Sequence, residues 1–176
     1  ESRQLGQCVM PDPLFLQLRQ APLINVMKNK ETIPFWESKT LSEMTKKEWE
    51  SLCDGCARCC LLKLEDEDNQ NIYYTSVCCH LLDLEHCRCT HYSQRSTLVP
   101  DCVTLTPDNL HELAWMPSTC AYRLLHEGKP LPEWHPLLSG TSESTREAAA
   151  SIFSYATLEN EIDAEQLPDY IIEWLK

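Results

Sequence analysis

Ten of the eleven cysteines in this 176-residue chain lie between Cys53 and Cys120, and only Cys8 stands outside. Such a density of thiols constrains the fold more than any hydrophobic pattern does. They must be cross-linked, bound to metal, or packed as small apolar groups. An odd count leaves at least one thiol over in a closed disulfide framework. No cationic start, apolar core and small-residue cleavage site precede the cluster, so the chain is expected not to be exported. Its thiols then meet a reducing compartment where disulfides are rare, and the expected localisation is cytoplasmic. Packing as a buried hydrophobe suits an isolated cysteine better than ten in one stretch. Clustered thiols in a cytosolic chain point instead to metal binding or redox chemistry.

Composition narrows the partners. Lys and Arg number 15 against 27 Asp and Glu, a formal charge of −12. The field of so acidic a chain repels nucleic acid and anionic membranes, so neither is an expected partner, whereas metal ions are. Apolar residues make up 43%, too many for a disordered chain. The longest clean apolar stretch, around Cys59 to Leu62, is only a few residues, so no segment reads as a membrane span. The length allows one ordinary domain with a core.

The central motif is Cys53-Asp54-Gly55-Cys56-Ala57-Arg58-Cys59-Cys60. Thiolates are soft anionic ligands that favour zinc, copper(I) and iron–sulfur clusters over magnesium or calcium. A two-residue spacing lets a tight turn aim two sulfurs at one centre. Three such cysteines in series form the pattern by which a short loop wraps one face of an iron–sulfur cubane, completed by a remote cysteine. Zinc knuckles use the same spacing, so the motif alone does not choose the metal. Cys60 directly follows Cys59, and adjacent side chains point apart on most backbones, so the two are expected to serve different centres. Cys78, Cys79, Cys87, Cys89, Cys102 and Cys120 follow. Setting aside Cys8 and Cys78 leaves nine candidate ligands: Cys53, Cys56, Cys59, Cys60, Cys79, Cys87, Cys89, Cys102 and Cys120. Two four-thiolate sites would use eight, and their pairing is not readable from sequence. His80, His86 and His91 interleave with the cysteines, with His111, His126 and His135 further off. None has a two- or four-residue spacing to another ligand on a clear helix, so ordinary surface or core roles are favoured. Arg58, Arg88 and Arg95 either offset thiolate charge or are solvated.

Coarse secondary structure gives the setting. Phe15, Leu16, Leu18, Leu23, Ile24 and Val26 suggest a short amphipathic helix interrupted by prolines, and Met27-Lys28-Asn29-Lys30 reads as a native start with an extension before it. Thr45 and Glu48 form a capping-box pattern, with Met44 placed to staple on Trp49. Leu61–Leu64 and Ile72–Val77 read as strands around the acidic turn Glu65–Asn69. That turn lacks the glycine and spaced ligands of a calcium loop and is read as a solvated hairpin tip. A helix is expected from Thr106-Pro107, stapled by Leu105 and Leu110, and another over Cys120–Glu127, capped by Thr119 and closed by Gly128. Pro130, Pro132 and Pro136 predict an extended path past Trp134 and His135. Further helices are expected over Ser142–Ala150 and Pro168–Leu175, the last with an apolar stripe of Tyr170, Ile171, Trp174 and Leu175. The expected fold is mainly α with a small β-hairpin, an irregular single domain organised by Cys-ligated metal sites. Residues 1–33 form an N-terminal extension, 34–140 the cysteine-cluster metal-binding domain, and 141–176 a C-terminal helical tail packing on it.

The series Cys53-x-x-Cys56-x-x-Cys59-Cys60, then Cys79-His80-Leu81-Leu82, Cys89-Thr90-His91-Tyr92-Ser93-Gln94-Arg95, Pro100-Asp101-Cys102 and Cys120 resembles the bacterial CxxCxxCC cysteine-cluster family, the zinc- or iron-chelating YkgJ-like proteins. Pro34-Phe35-Trp36-Glu37, Glu48-Trp49-Glu50-Ser51-Leu52, Leu113-Ala114-Trp115-Met116-Pro117, Thr119-Cys120-Ala121-Tyr122-Arg123 and Leu131-Pro132-Glu133-Trp134-His135-Pro136 are similar to its YcgN-like branch. The likeness covers about residues 33–140 strongly and the tail weakly. It implies a cytoplasmic metal-binding protein. Two departures stand out. The residue after Cys56 is usually glycine in the family and is Ala57 here, which would strain a left-handed loop by roughly 1 kcal/mol. Cys78 is an extra thiol beside Cys79, a spare or an alternative ligand. The tail near Ser151–Leu158 also departs from the usual strand-like pattern.

Three function classes follow. The first is a protein holding iron–sulfur cluster(s), [4Fe–4S] among them, or Zn²⁺ in a structural or electron-transfer role. Iron–sulfur is favoured, because three serial thiols at this spacing resemble a cluster loop more than a pair of knuckles. The second is an accessory metalloenzyme with an open coordination position. No phosphate-cradling loop, nucleophile elbow or zinc-protease helix is found, so a non-enzyme is the expectation. The third is a metal buffer or delivery protein, which needs exposed, exchangeable thiolates.

Overall fold

A computed structural model describes residues 33–113 and 115–175 of the chain. The amphipathic segment expected within residues 15–26, and Cys8, lie outside the described residues. Among those described there are six α-helices, and the longest has six residues: α1 (Phe35–Ser38), α2 (Lys46–Glu50), α3 (Arg95–Leu98), α4 (Ala121–His126), α5 (Pro136–Ser139) and α6 (Ser144–Glu147). Single 3-10 turns and five short strands make up the other regular elements. A mainly α description therefore overstates the helix content; the architecture is one of helical turns around a small mixed sheet.

The sheet grows from the hairpin read in the sequence. β1 (Leu61–Glu65) runs antiparallel to β2 (Ile72–Cys78), with Lys63 opposite Tyr74, Glu65 opposite Ile72, and an irregularity between Leu61 and Lys63. At the tip, both Asp66 carboxylate oxygens are used by the turn itself, accepting from the Asp68 N–H (2.9 Å) and the Asn69 amide (2.8 Å). β3 (Leu82–Asp83) and β4 (Arg88–Cys89) form a second, two-residue ladder with Leu82 opposite Cys89. β5 (Thr157–Leu158) pairs parallel to the end of β2, which makes β2 the central strand.

Capping chemistry explains α2. The Thr45 hydroxyl accepts from the Glu48 N–H, and the Glu48 carboxylate accepts from the Thr45 N–H at 2.8 Å, so two otherwise orphaned donors are satisfied reciprocally. Elsewhere local bonding defeats the helix signals. Thr106-Pro107 opens no α-helix: Asn109 Oδ1 accepts from the Thr106 N–H at 2.9 Å, and this turn leads only to a 3-10 turn at Leu110–Glu112. α4 is capped at Cys120 rather than Thr119, whose hydroxyl meets Arg58 Nη1 at 3.4 Å. The expected Ser142–Ala150 helix shrinks to the single turn of α6.

No helix covers Pro168–Leu175. A 3-10 run, Ala164–Tyr170, contains Pro168, and extended chain then lays Ile171 beside Thr75 and donates the Ile172 N–H to the Tyr74 carbonyl at 2.8 Å. The stretch of β2 around Tyr74 and Thr75, which β5 leaves unpaired, takes the Ile172 N–H and holds the chain extended there. The buried residues of this segment are Ile172 and Leu175; of the expected stripe Leu175 is buried and Tyr170 half-buried, while Ile171 is exposed and Trp174 stays 64% exposed.

The core falls into two clusters. One packs Leu61, Tyr74, Cys78, Leu82, Ile152, Ile172 and Leu175 around the sheet. The other packs Leu52, Leu110, Ala121, Tyr122 and Leu131 among the helical turns. Residues after 140 enter the first cluster through Ile152, Ile172 and Leu175, by single turns and extended chain rather than by a helical tail. No helix among the described residues is long and apolar enough to cross a membrane.

Candidate metal centre

The Cys53–Cys60 loop begins directly after the fully buried Leu52, whose carbonyl accepts a hydrogen bond from His135 Nε2 at 3.0 Å. The other ring nitrogen, Nδ1, accepts from the Leu137 N–H at 3.1 Å and caps α5. His135 is thus a core histidine whose two nitrogens both serve structure. Thr145 Oγ1 donates to the Asp54 carbonyl at 3.0 Å, and Asp54 Oδ1 accepts from the Cys56 N–H at 3.0 Å. Gly55 and Ala57 are both left-handed, with φ of 73° and 58°. These two reversals coil the chain about Cys56, and the Cys60 N–H closes the loop on the Ala57 carbonyl at 2.9 Å. Ala57 therefore occupies the position where the family resemblance expects glycine, and for the reason glycine is used there.

Several candidate thiols share a local geometry. A backbone N–H two residues ahead faces the sulfur: Gly55 for Cys53, Arg58 for Cys56, Tyr122 for Cys120, and Leu81 for Cys79, the last at 3.5 Å. Such donors stabilise an ionised sulfur, which is the form that binds metal. Without a cation, the surroundings oppose ionisation. Enclosure by protein pushes the Cys120 thiol up to about 12, and does the same to Cys53 even though that residue keeps an open face. Burial and neighbouring negative charges also push Cys56 up. Cys59 differs. The Cys60 sulfur, 4.0 Å away, shares a hydrogen bond with it and holds it below the ordinary thiol value, with Lys63 adding to the effect. The adjacent sulfurs of Cys59 and Cys60 therefore meet rather than point apart, contrary to the expectation for neighbouring residues.

The remaining thiols divide. The Cys79 N–H donates to the Cys60 carbonyl at 3.0 Å, and the Cys79 carbonyl accepts from Leu82, the register partner of Cys89. Burial raises both Cys79 and Cys102; Cys79 also feels the charges of Glu159, Cys89 and Cys102, and Cys102 those of Cys89 and Cys59. Cys78 and Cys87 lie in the sheet-side core. Cys87 acts as a donor, to the Leu84 carbonyl at 3.8 Å, and touches Ser151 Oγ at 3.1 Å. Among the described residues, no three thiol sulfurs all lie within 4.8 Å of one another. The trio that does meet that spacing is Cys79, His80 and Glu159. There the Glu159 carboxylate accepts from the His80 N–H at 2.8 Å and contacts the ring Nδ1 at 2.5 Å.

Of the arginines singled out by sequence, the charges of Arg88 and Arg95 favour the ionised forms of Cys53 and Cys102, and Arg95 also donates to the Tyr92 carbonyl at 2.6 Å. Arg58 instead braces the loop, donating to the Ala149 carbonyl at 3.2 Å. Sequence reading missed Lys63. Its ammonium donates to the carbonyls of Cys59 (3.0 Å) and Leu61 (2.7 Å) and faces the Cys59 and Cys60 sulfurs, while burial lowers it to about 8. Its place three residues past Cys60, on a strand leading out of the loop, was the available signal. Glu159 had none.

A soft-donor set on a coiled loop defines a class before it defines a protein. Residues 52–121 match the CxxCxxCC family, described as "Putative zinc- or iron-chelating domain". The chain is 57% identical over 141 residues to a UPF0260 protein of Parvibaculum lavamentivorans, covering 80% of this chain and 92% of the relative. It is 55% identical over 142 residues to a UPF0260 protein of Rhizobium etli, covering 81% and 90%. It is 52% identical over 141 residues to one from Cellvibrio japonicus, covering 80% and 96%. The chain belongs to the UPF0260 family of CxxCxxCC proteins. These relatives bear out the family and do not address its YcgN-like branch. No solved structure matches the chain.

Proposed function

We propose that this protein is a cytoplasmic metal binder that holds iron–sulfur clusters through clustered cysteine thiolates, in a structural or electron-transfer role, with zinc as the competing metal. The observation that carries this reading is the gathering around one coiled loop of thiols from separate segments, several of them facing a backbone N–H two residues ahead. The donor set fits: these are soft sulfurs on rigid turns, with Lys63, Arg88 and Arg95 close enough to offset their charge. The proposed ligands come from Cys53, Cys56, Cys59, Cys60, Cys79, Cys87, Cys89, Cys102 and Cys120. A closed zinc tetrahedron with 2.3 Å bonds draws its sulfurs to about 3.8 Å from one another. A polynuclear cluster takes each thiolate on a different iron and spaces them more widely. Three cysteines in series at two-residue spacing on one coiled loop support the cluster. When bound, such a cluster supplies one-electron transfer.

Anaerobic purification followed by metal and acid-labile sulfide analysis tests the reading. Iron with equimolar sulfide and a brown charge-transfer spectrum is expected. Stoichiometric zinc without sulfide replaces the cluster by zinc, and a folded protein carrying neither metal overturns metal binding altogether. Exposure of Cys53 and Cys59 favours a second reading, metal delivery. Transfer of metal to a chelator within minutes, with the circular dichroism spectrum unchanged, supports delivery and removes the structural role.

A further inference from the structure

A cavity of about 380 Å³ opens where three segments meet: the cysteine loop at Asp54 and Gly55, the β3–β4 hairpin, and the chain at the start of α6. We infer that it binds a small zwitterion, a carboxylate and an ammonium on one molecule of amino-acid or dipeptide size. The site lies against the cysteine loop but needs no thiol, and it stands whichever metal the thiols hold.

Most of the charged groups lining the cavity are already spent. Asp83 uses one oxygen to accept from the N–H groups of Glu85 (2.8 Å) and His86 (3.2 Å), and its other oxygen meets the His86 ring Nδ1 at 2.7 Å. Asp54 is sealed in the loop: Oδ1 accepts from the Cys56 N–H at 3.0 Å, and Oδ2 is out of reach of solvent. Arg146 donates to the Glu85 carbonyl and lies 4.2 Å over the Phe153 ring, which makes it a strut from α6 to the β3–β4 turn.

Two groups are left. Arg88 stands opposite Asp83 in the β3–β4 ladder. Because Asp83 is committed to its own turn, Arg88 has no hydrogen bond or ion pair with any described residue. Glu143 starts α6 with its main chain, its carbonyl accepting from Arg146 (2.9 Å) and Glu147 (3.0 Å), while its carboxylate has no partner among the described residues. Both side chains line the one cavity and are exposed, yet they form no ion pair with each other.

A cation and an anion that face one space without pairing are complementary to a ligand carrying both charges. The planar fork of Arg88 suits a carboxylate, which it can grip through two parallel N–H bonds. Glu143 suits the ammonium. A simple anion would meet like charge at Glu143, and a simple cation would meet it at Arg88. The volume is at the low end of small-molecule pockets, which run from roughly 300 to 1,000 Å³, and this limits the ligand to an amino acid or a short peptide.

Isothermal titration calorimetry and thermal melts on the full chain, purified anaerobically and with its metal content measured, test this. The probes are the common L-α-amino acids and glycylglycine, with acetate and methylammonium carrying one charge each. At least one zwitterion is expected to bind, and the one-charge probes to bind about tenfold or more weakly. Tighter binding of a free amino acid than of glycylglycine assigns the site to amino acids, and the reverse assigns it to peptides. Arg88→Gln and Glu143→Gln should each weaken binding by about tenfold or more. Glu143 is exposed and far in sequence from every cysteine, so Glu143→Gln gives the answer even if Arg88→Gln, between Cys87 and Cys89, misfolds. No heat and no rise in Tm with any zwitterion overturns the inference. So does acetate binding as tightly as the zwitterion, or binding that neither substitution changes. Metal content is read separately, so loss of ligand binding and loss of metal are told apart.

Discussion

Replacing His135 by phenylalanine probes the tie that seats the cysteine loop. Neutral imidazole with its proton on Nε2 serves both of its bonds at once: Nε2 donates to the Leu52 carbonyl at 3.0 Å and Nδ1 accepts from the Leu137 N–H at 3.1 Å. The ring is fully buried, so a ring of similar size keeps the packing and removes only the bonds. Leu52 is also fully buried, and a carbonyl left unpaired there costs about 1–3 kcal/mol. The Leu137 N–H is half-buried at a helix start, where water reaches it, and its loss costs about 1 kcal/mol. The sum is about 2–4 kcal/mol, which in a chain of this size lowers Tm by about 4–16 °C. Thermal and urea melts of the metal-loaded variant and wild type measure it, with metal content determined on both. A loss below about 1 kcal/mol refutes the reasoning. So does a variant that melts normally but has lost metal, because His135 would then be a ligand and not a tie.

The left-handed Ala57 costs alanine about 1–2 kcal/mol. Ala57→Gly relieves this but gives up a buried methyl of about 0.8 kcal/mol and adds chain freedom of about 0.4–1 kcal/mol, so stability should change by less than about 1 kcal/mol by urea melt. Ala57→Val, with a branched side chain at positive φ, should lose about 1–3 kcal/mol, and an unchanged midpoint would contradict the left-handed loop. Lys39 and the Thr45 N–H and hydroxyl hold the Glu48 carboxyl at about 2, below its ordinary 4.5. A carboxylate depressed by folding stabilises above its ordinary value and loses that contribution as pH falls, so the Tm deficit of Glu48→Gln should be present at pH 7 and should close between pH 4.5 and 2. A deficit that is independent of pH refutes it. Lys63→Met removes the cation facing Cys59 and Cys60, so metal should pass to a competing chelator faster than from wild type; an equal or slower rate removes Lys63 from the site.

Sequence was informative where a single local mechanism decides. The Thr45–Glu48 box fixed α2 because both reciprocal bonds lie within one turn. The hairpin was readable because a leucine-rich run and a second run rich in β-branched and aromatic residues flank a polar turn. Even the left-handed state of Ala57 was foreseeable, from the glycine that the family places there. Sequence misled where a distant partner outbid the local signal. Pro168–Leu175 has a helical stripe, yet the Ile172 N–H finds the Tyr74 carbonyl almost a hundred positions away. Thr106-Pro107 has a helix start, but the Asn109 side chain closes the turn first. At the site, residue type and spacing nominated the serial thiols and the arginines near them. The grouping of thiols, the role of Lys63 and the Glu159 contact with His80 were not, because each depends on which segments the fold brings together.

The position of the cysteine loop says why a chain of such short elements would need metal. Isolated helices of four to six residues are not stable in water, so tertiary contacts must hold every helical element described here. Those contacts come from two apolar clusters, and the loop runs from one to the other: Leu52, just before it, is in the helical cluster, while Ala57 and Leu61 are in the sheet-side cluster. Between Leu52 and Leu61 the chain supplies two left-handed residues and a series of thiols that repel one another once ionised. Metal bound by these thiolates would turn that repulsion into attraction and clamp both clusters to one loop. Metal binding and folding are then a single equilibrium. On that footing, stripping the metal should loosen the helical and the sheet-side clusters together, and hydrogen exchange on their amides, followed as a chelator removes the metal, would refute the argument if either cluster kept its full protection.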